Sequence, residues 1–179
     1  MKKVSDIHAI KIIFFITACY VGLWAIRIPT IKDQLQTDYV GVGYIMLSFA
    51  IGSIVAMIFA NALILKTSTK SILTCTLIAE GCLWLPVPFI QELWLFMVFS
   101  FVFGMSYGAF EIACNVYASN LEVREKKSMM SGFHAFWSLG VLFGSLITSF
   151  LLEWNYSFIF NILLYVLTLL PLSLYFVLC

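Results

Sequence analysis

The stretch LWLFMVFSFVFGMSYGAFEIACNVYAS, residues 93–119, contains only one charged side chain, that of Glu111. A helix needs about 20 apolar residues to cross the hydrocarbon core of a bilayer. This stretch is long enough, so it predicts a membrane-spanning helix. Its glutamate needs a separate explanation, because a carboxylate in hydrocarbon is costly and usually serves a function.

The composition of the whole chain agrees with this prediction. Of its 179 residues, 63% are hydrophobic and 11% are charged, and the mean hydropathy is +1.03. A soluble domain carries about 25% charged residues. The net charge of +1 and the absence of a basic stripe exclude nucleic acid as an expected partner. Five scattered cysteines without CxxC spacing indicate no metal site, and we expect no cofactor.

Polar breaks divide the chain into six apolar spans. Spanning strands would show alternating apolar and polar residues, and that pattern is absent. We therefore predict an all-α polytopic membrane protein, with residues 1–179 forming a single six-helix domain. The predicted spans are residues 12–31, 40–65, 71–90, 93–119, 131–152 and 156–179.

The basic residues predict the orientation of the spans. Eight of them lie on one side: Lys2, Lys3, Lys11, Lys66, Lys70, Arg124, Lys126 and Lys127. The opposite side holds Lys32, with Arg27 close to it. Because short cytoplasmic loops are enriched in lysine and arginine, we expect both termini to be cytoplasmic and the protein to lie in the inner membrane.

The fourth span carries its strongly polar residues, except Asn120 at its end, on one narrow face. Gly104, Gly108, Glu111, Asn115 and Glu122 fall within roughly 60° of one another at 100° per residue. The two glycines have the spacing that lets another helix backbone approach closely. The face is either a packing seam with one satisfied glutamate or a cavity lining with a titratable group, and we favour the cavity.

The fifth span has a similar pattern. His134 and Ser138 begin a hydroxyl-bearing face, and Gly140 and Gly144 form a second, smooth face that suits helix packing. A lone histidine is structural more often than functional, and both interpretations of His134 remain open.

Helical rise places the polar residues of these two spans at comparable depths. Asn115 and His134 fall at a similar level, and Glu111 is nearer to Ser138. If the two faces meet, these four residues form one polar cluster. A shielded glutamate can bind a proton near neutrality, which is the chemistry of a proton-coupled carrier.

The remaining polar residues inside the spans leave alternatives open. Tyr20 and Trp24 in span one either stack on a ligand or fill the helix bundle. Arg27 either binds a ligand or extends its side chain to water near the end of the span. Glu80, in span three, has no polar stripe beside it and is an unexplained acid.

Two parts of the chain resemble a known family. LWAIRIPTIKDQL, residues 23–35, resembles W-x-x-R-I-P-x-I-[RK]-D-x-L at the end of a first helix. GMSYGAFEIACNVYASNLE, residues 104–122, and MSGFHAFWSLGVLFG, residues 130–144, resemble G-x-x-x-G-x-x-D-V-x-x-N-x-x-x-x-x-x-E and M-S-x-F-H-x-x-x-S-L-G-x-x-x-G. These patterns are similar to those of the major facilitator superfamily (MFS). Within it they resemble the bacterial YbjJ-like group, relatives of the fucose permease type.

The resemblance implies a fold and a function. The chain would be the N-terminal six-helix half of a transporter, built from two inverted three-helix repeats, with helices one and four lining a cavity. It would carry a small polar solute, such as a sugar or related metabolite, through the lipid bilayer by secondary active transport, with proton symport. The second half would be a separately encoded chain or a second copy in a homodimer.

The sequence departs from the family pattern in two places. Glu111 stands where the group has an aspartate, which keeps the charge. The loop signature G-x-x-x-D-R-x-G-R-R between helices two and three is degraded to NALILKTSTK, with Asn61 and Leu65 at the glycine and aspartate positions. That loop normally helps control the inward–outward switch.

Two other function classes fit parts of the sequence. The chain ends directly on span six, so it is also interpreted as a non-transporting remnant of a split gene, or as a scaffold half that needs a partner. An intramembrane enzyme would use His134, Glu111 and Ser138 as a hydrolytic group. The chain has no nucleophile elbow and no HExxH motif, so we expect it not to be an enzyme.

Overall fold

The structure is a computed structural model that describes residues 6–178, apart from the side chains of residues 60–63 and 65. Within that range it contains helices and no strand. The helices are α1 (Asp6–Gln34), α2 (Tyr39–Lys66), α3 (Thr69–Trp84), α4 (Leu93–Glu125), α5 (Met130–Glu153) and α6 (Phe158–Leu178). Lys2, Lys3 and Cys179, and the side chains of Asn61 and Leu65, lie outside the described part of the chain.

Six helical segments of the described chain are long and apolar enough to cross a membrane, the third of them being Thr69–Phe89, which extends beyond α3. This confirms the prediction of an all-α protein with six spans. Their ends differ from those of the apolar runs. The first helix begins at Asp6 and the fourth continues to Glu125. Backbone hydrogen bonds continue past the apolar residues, because water or loops can surround the polar ends. At about 1.5 Å per residue, the 33 residues of α4 exceed the thickness of the hydrocarbon core.

Prolines shape the end of the third predicted span. The regular helix stops two residues before Pro86, and a one-turn 3₁₀ helix, Val87–Phe89, follows. Proline lacks the N–H that would continue the hydrogen-bond ladder. The side-chain amide of Gln34 donates to the carbonyl oxygens of Val87 and Ile90, at 2.9 and 2.6 Å. These bonds attach the proline-containing turn to the end of α1.

The chain divides into two compact units. The α2–α3 unit is Arg27–Ala113, and it includes the end of α1 and the first part of α4. The α5–α6 unit combines α1 up to Ile26 with the chain from Cys114 onward. The first and fourth helices therefore contribute to both units.

A reciprocal glycine contact joins α2 and α4 in the α2–α3 unit. A Cβ atom on Gly104 would collide with the carbonyl oxygen of Phe49, and one on Gly52 would collide with the carbonyl oxygen of Phe101. Gly104 thus packs on Phe49, which lies three positions before Gly52. Gly52 packs on Phe101, which lies three positions before Gly104. With no side chain between them, the two backbones pack directly against each other.

The same reciprocal contact joins α1 and α5 in the α5–α6 unit. A Cβ on Gly22 would meet the carbonyl oxygen of Val141, and one on Gly144 would meet that of Cys19. Here too the contacted residue lies three positions before the glycine of its own helix, Cys19 before Gly22 and Val141 before Gly144. Further glycines make single contacts of this kind, Gly108 with Ser53 in the first unit and Gly140 with Phe15 in the second.

The two crossings are related by exchanging the first three helices for the last three. This exchange replaces α1 with α4 and α2 with α5, so the contact of α4 with α2 becomes that of α1 with α5. Two repeats of three helices produce this correspondence. The arrangement is consistent with half of the fold that the sequence resemblance implies.

Candidate functional site

The polar face of α4 lies on an uninterrupted helix. Glu111 and Asn115 are both half-buried and are separated by four residues. Four residues advance a helix by about 6 Å and bring the side chains to the same face. The glutamate belongs to the α2–α3 unit and the asparagine to the α5–α6 unit.

The polar residues at the start of α5 are exposed. The hydroxyl of Ser138 donates to the main-chain oxygen of His134 at 3.1 Å, so this serine bonds to the backbone one turn earlier. The His134 ring stands edge-on to Phe14, with the ring centroids 5.6 Å apart. Because the histidine contacts an aromatic ring of α1, a structural role for His134 has a physical basis.

The cluster predicted from helical depth has members in both units. Asn115, His134 and Ser138 belong to the α5–α6 unit, whereas Glu111 belongs to the α2–α3 unit. The joining of these four residues in one polar site stays a prediction.

Tyr20 is a buried residue that packs on α6. Its hydroxyl donates to the carbonyl oxygen of Tyr165 at 3.3 Å, and the two rings meet edge to face at 6.0 Å. The Tyr165 hydroxyl donates to the carbonyl oxygen of Gly144 at 2.6 Å and pairs with the Thr148 hydroxyl at 3.0 Å. Tyr20 therefore takes part in a hydrogen-bonded core between α1, α5 and α6.

Sequence reasoning missed the part of α6 in this network. Tyr165 is buried, and Asn161, one turn before it, is fully buried. A phenol in an apolar span is the signal that identifies such a network, since buried polar groups need hydrogen-bond partners.

The other two candidates on α1 differ in burial. Trp24 is half-buried. Arg27 is only 2% exposed although it carries a guanidinium group. An arginine within a membrane span usually faces the interior of a bundle or a water-filled cavity, so Arg27 remains a candidate for ligand binding.

Glu122, at the end of the polar face of α4, has a structural role. One of its carboxylate oxygens accepts hydrogen bonds from the backbone N–H groups of Met129 and Met130, the second at 2.7 Å. These N–H groups lie at the start of α5, where a helix has no internal acceptors for them. The carboxylate therefore caps α5 and closes the loop between α4 and α5.

An exposed group of charges lies beside this loop. The Arg124 guanidinium contacts the Asp6 carboxylate at 2.6 Å and the Glu125 carboxylate at 3.1 Å. The first pair links the beginning of α1 to the end of α4. Exposed pairs of this kind contribute about 0–1 kcal/mol, so we assign them little weight in stability.

The described residues form no metal site, and an open groove of the structure does not include the site residues predicted from the sequence. Across residues 6–178, no group of three histidine, cysteine, aspartate or glutamate side chains is arranged to hold a metal ion. A shallow groove of about 390 Å³ on the α2–α3 unit is lined by Ser48, Trp94, Met97, Val98 and Phe101. The groove is largely apolar and contains none of the predicted site residues.

Comparison with known proteins identifies relatives. Residues 12–178 match the family model described as Major Facilitator Superfamily. An uncharacterized MFS-type transporter of Yersinia pestis is 28% identical over 145 residues, which cover 79% of this chain and 37% of that protein. An uncharacterized transporter of Sinorhizobium fredii is 25% identical over 141 residues, covering 74% of this chain and 35% of that protein.

The matches also show that the chain corresponds to only part of the length of these relatives. It spans about a third of the length of the curated relatives it matches. No solved structure gives a significant match. The narrower resemblance to the YbjJ-like group stays a prediction.

Proposed function

We propose that this chain, which belongs to the major facilitator superfamily, is part of a secondary active transporter for a small polar solute. A sugar or a related metabolite, carried together with protons, is the proposed substrate class. The observation that supports this most directly is the placement of Glu111 and Asn115 four residues apart on α4. An ionisable and an amide side chain share one face of a helix that is long and apolar enough to cross a membrane.

The physical argument rests on the cost of polar groups in hydrocarbon. Side chains such as Glu111 and Arg27 are retained in membrane spans where they face a cavity or one another. In the proposed mechanism Glu111 exchanges a proton with the aqueous phase, while Asn115 supplies an amide that both donates and accepts hydrogen bonds. Hydroxyl-rich solutes are suited to such partners.

The enclosure of the solute requires more helices than this chain contributes. We propose that a second set of six helices completes the cavity, supplied by another polypeptide or by a second copy of this chain. The length of the relatives supports this, since the matched region covers little more than a third of each. A location in the inner membrane, with both termini in the cytoplasm, completes the proposal, and the distribution of lysine and arginine supports it.

Uptake into membrane vesicles tests the proposed function. Vesicles from cells expressing the native chain should accumulate one member of a panel of radiolabelled sugars and polyols when an inward proton gradient is imposed. A protonophore should abolish the uptake. Glu111→Gln should reduce it at least tenfold, whereas the matched control Glu92→Gln, an exposed glutamate just before α4, should leave it unchanged.

Three results would count against the proposal. Native uptake by Glu111→Gln would exclude the glutamate as the proton carrier. A native chain that accumulates no member of the panel, alone or coexpressed with a second six-helix half, would favour the non-transporting alternative. Hydrolysis that depends on His134 would instead support the enzyme alternative. Members of this superfamily are transporters, which argues against that last result.

A further inference from the structure

Glu80 is a buried carboxyl group in α3, one turn before the helix ends at Trp84. It is only 4% exposed, and its Oε2 atom has no hydrogen-bond partner among residues 6–178. The ion pairs of the described residues lie elsewhere in the chain and do not include this glutamate. Among residues 6–178, no cation forms an ion pair with Glu80 and no donor reaches its Oε2 atom to stabilise a negative charge.

The adjacent turns of α3 are also unsuited to a carboxylate. One turn before Glu80, the Thr76 hydroxyl is committed to the carbonyl oxygen of Ile72 at 2.8 Å. Leu77, on the same face, is buried. A hydroxyl that already donates to the backbone cannot donate the same proton to a carboxylate.

An aromatic group lies one turn after the glutamate. The ring of Trp84 stands edge-on to Phe103 of α4, with centroids 5.6 Å apart. Phe103 in turn lies 5.9 Å from Phe49 of α2 and 6.3 Å from Phe99. Trp84 itself is only 2% exposed, and a buried site of this kind has a lower dielectric than water.

The charged residues on the other helices of the α2–α3 unit do not compensate Glu80. None of them forms a hydrogen bond or an ion pair with it in the described chain. They are Arg27, Lys32 and Asp33 on α1, Lys66 on α2 and Glu111 on α4. On α3 itself, Lys70 lies ten positions earlier, which is about 15 Å along the helix axis.

We propose that Glu80 is a proton-binding site, separate from Glu111, that holds its proton in this conformation. An ionised carboxylate buried without a partner is far more costly than the neutral acid, so the acid form is the one that fits this packing. Release of the proton requires water or a cation to reach α3. The protonation state of Glu80 therefore indicates whether water or a cation has access to this part of α3. This inference goes beyond the proposed function, since it needs neither the solute nor Glu111.

Infrared spectroscopy of the purified chain in phosphatidylcholine–phosphatidylglycerol vesicles tests the proposal. A protonated carboxyl group has a carbonyl stretch distinct from the carboxylate bands. At pH 7 the native chain should show this stretch, and Glu80→Gln should lack one component of it. The control Glu92→Gln, at an exposed position, should give the native spectrum, and Glu111→Gln should retain the Glu80 component.

The outcomes are decisive in both directions. A native spectrum at pH 7 that is unchanged by Glu80→Gln overturns the proposal. If Glu80→Gln does not insert or fold, as judged by circular dichroism, Glu80→Asp provides the same decision. A protonated band that shifts in the aspartate variant supports the site, and an unshifted band overturns it. None of these measurements depends on transport, so failure of the transport proposal would leave this result interpretable.

Discussion

Gly104 of α4 and Phe49 of α2 contact each other through their backbones. The glycine has no side chain, and the carbonyl oxygen of the phenylalanine occupies the place where a Cβ would be. A helix backbone cannot withdraw without disturbing its own hydrogen bonds. The closeness of these two helices therefore depends on the absence of a single methyl group.

Gly104→Ala should destabilise the protein. Overpacking of a close contact costs about 1–3 kcal/mol, and the added methyl here would meet backbone atoms, which yield little. The measurement is the midpoint of unfolding as sodium dodecyl sulfate replaces a mild detergent. Gly43→Ala is the matched control, because nothing lies within 4 Å of a Cβ at that position on α2. Equal midpoints for the two variants would contradict the assignment.

Tyr165→Phe should also lower stability. It removes the hydroxyl that donates to the Gly144 carbonyl oxygen and pairs with Thr148. Hydrogen bonds within membrane proteins contribute about 0.6 kcal/mol on average and up to about 2 kcal/mol. A double-mutant cycle with Thr148→Val should show coupling between the two side chains. Tyr175→Phe, at an exposed position on the same helix, is the control. Additive effects of Tyr165→Phe and Thr148→Val would argue against a hydrogen bond between these two side chains.

Glu122→Ala should loosen the start of α5. The backbone N–H groups of Met129 and Met130 lose their acceptor, and loss of a helix cap costs about 0.5–2 kcal/mol. Hydrogen exchange measured by mass spectrometry should be faster for the peptide that contains these amides. Glu125→Ala changes a neighbouring carboxylate that contacts an exposed arginine, and it should leave the exchange unchanged. Unaltered exchange in the Glu122 variant would exclude the capping role.

The orientation inferred from lysine and arginine predicts a labelling pattern. Single cysteines replace Ser128, in the loop between α4 and α5, and Asn155, in the loop between α5 and α6. The native cysteines are first changed to serine. A membrane-impermeant maleimide should label position 155 in intact cells and position 128 only after permeabilisation. The reverse pattern would show that the positive-inside distribution does not set the orientation of this chain.

Hydropathy was sufficient to predict the six helices, because the requirement for about 20 apolar residues acts on every span. Hydropathy was not sufficient to predict the residues at which the helices begin and end. The polar residues from Asp6 onward remain helical, since backbone hydrogen bonds do not require an apolar side chain. The third span ends early because Pro86 removes a backbone donor.

The sequence predicted close packing at the glycines but not the partner of each. The spacing of Gly104 and Gly108 indicates a smooth face, and only the fold places that face on α2. For the same reason, the sequence alone does not distinguish between ligand binding and packing for Tyr20. Its partner, Tyr165, is 145 residues away, and no local pattern connects the two positions.

The repeated glycine crossing also allows α1 and α4 to be aligned position by position. Gly22 and Gly104 make equivalent contacts and are 82 residues apart. The same separation aligns Glu111 with Pro29, and Arg27 with Ala109. At these two pairs of positions one copy has an ionisable side chain where the other has none, and the two side chains have opposite charge. If an ancestral three-helix segment was duplicated, these positions of its first helix have since diverged, to a basic side chain in one descendant and an acidic one in the other.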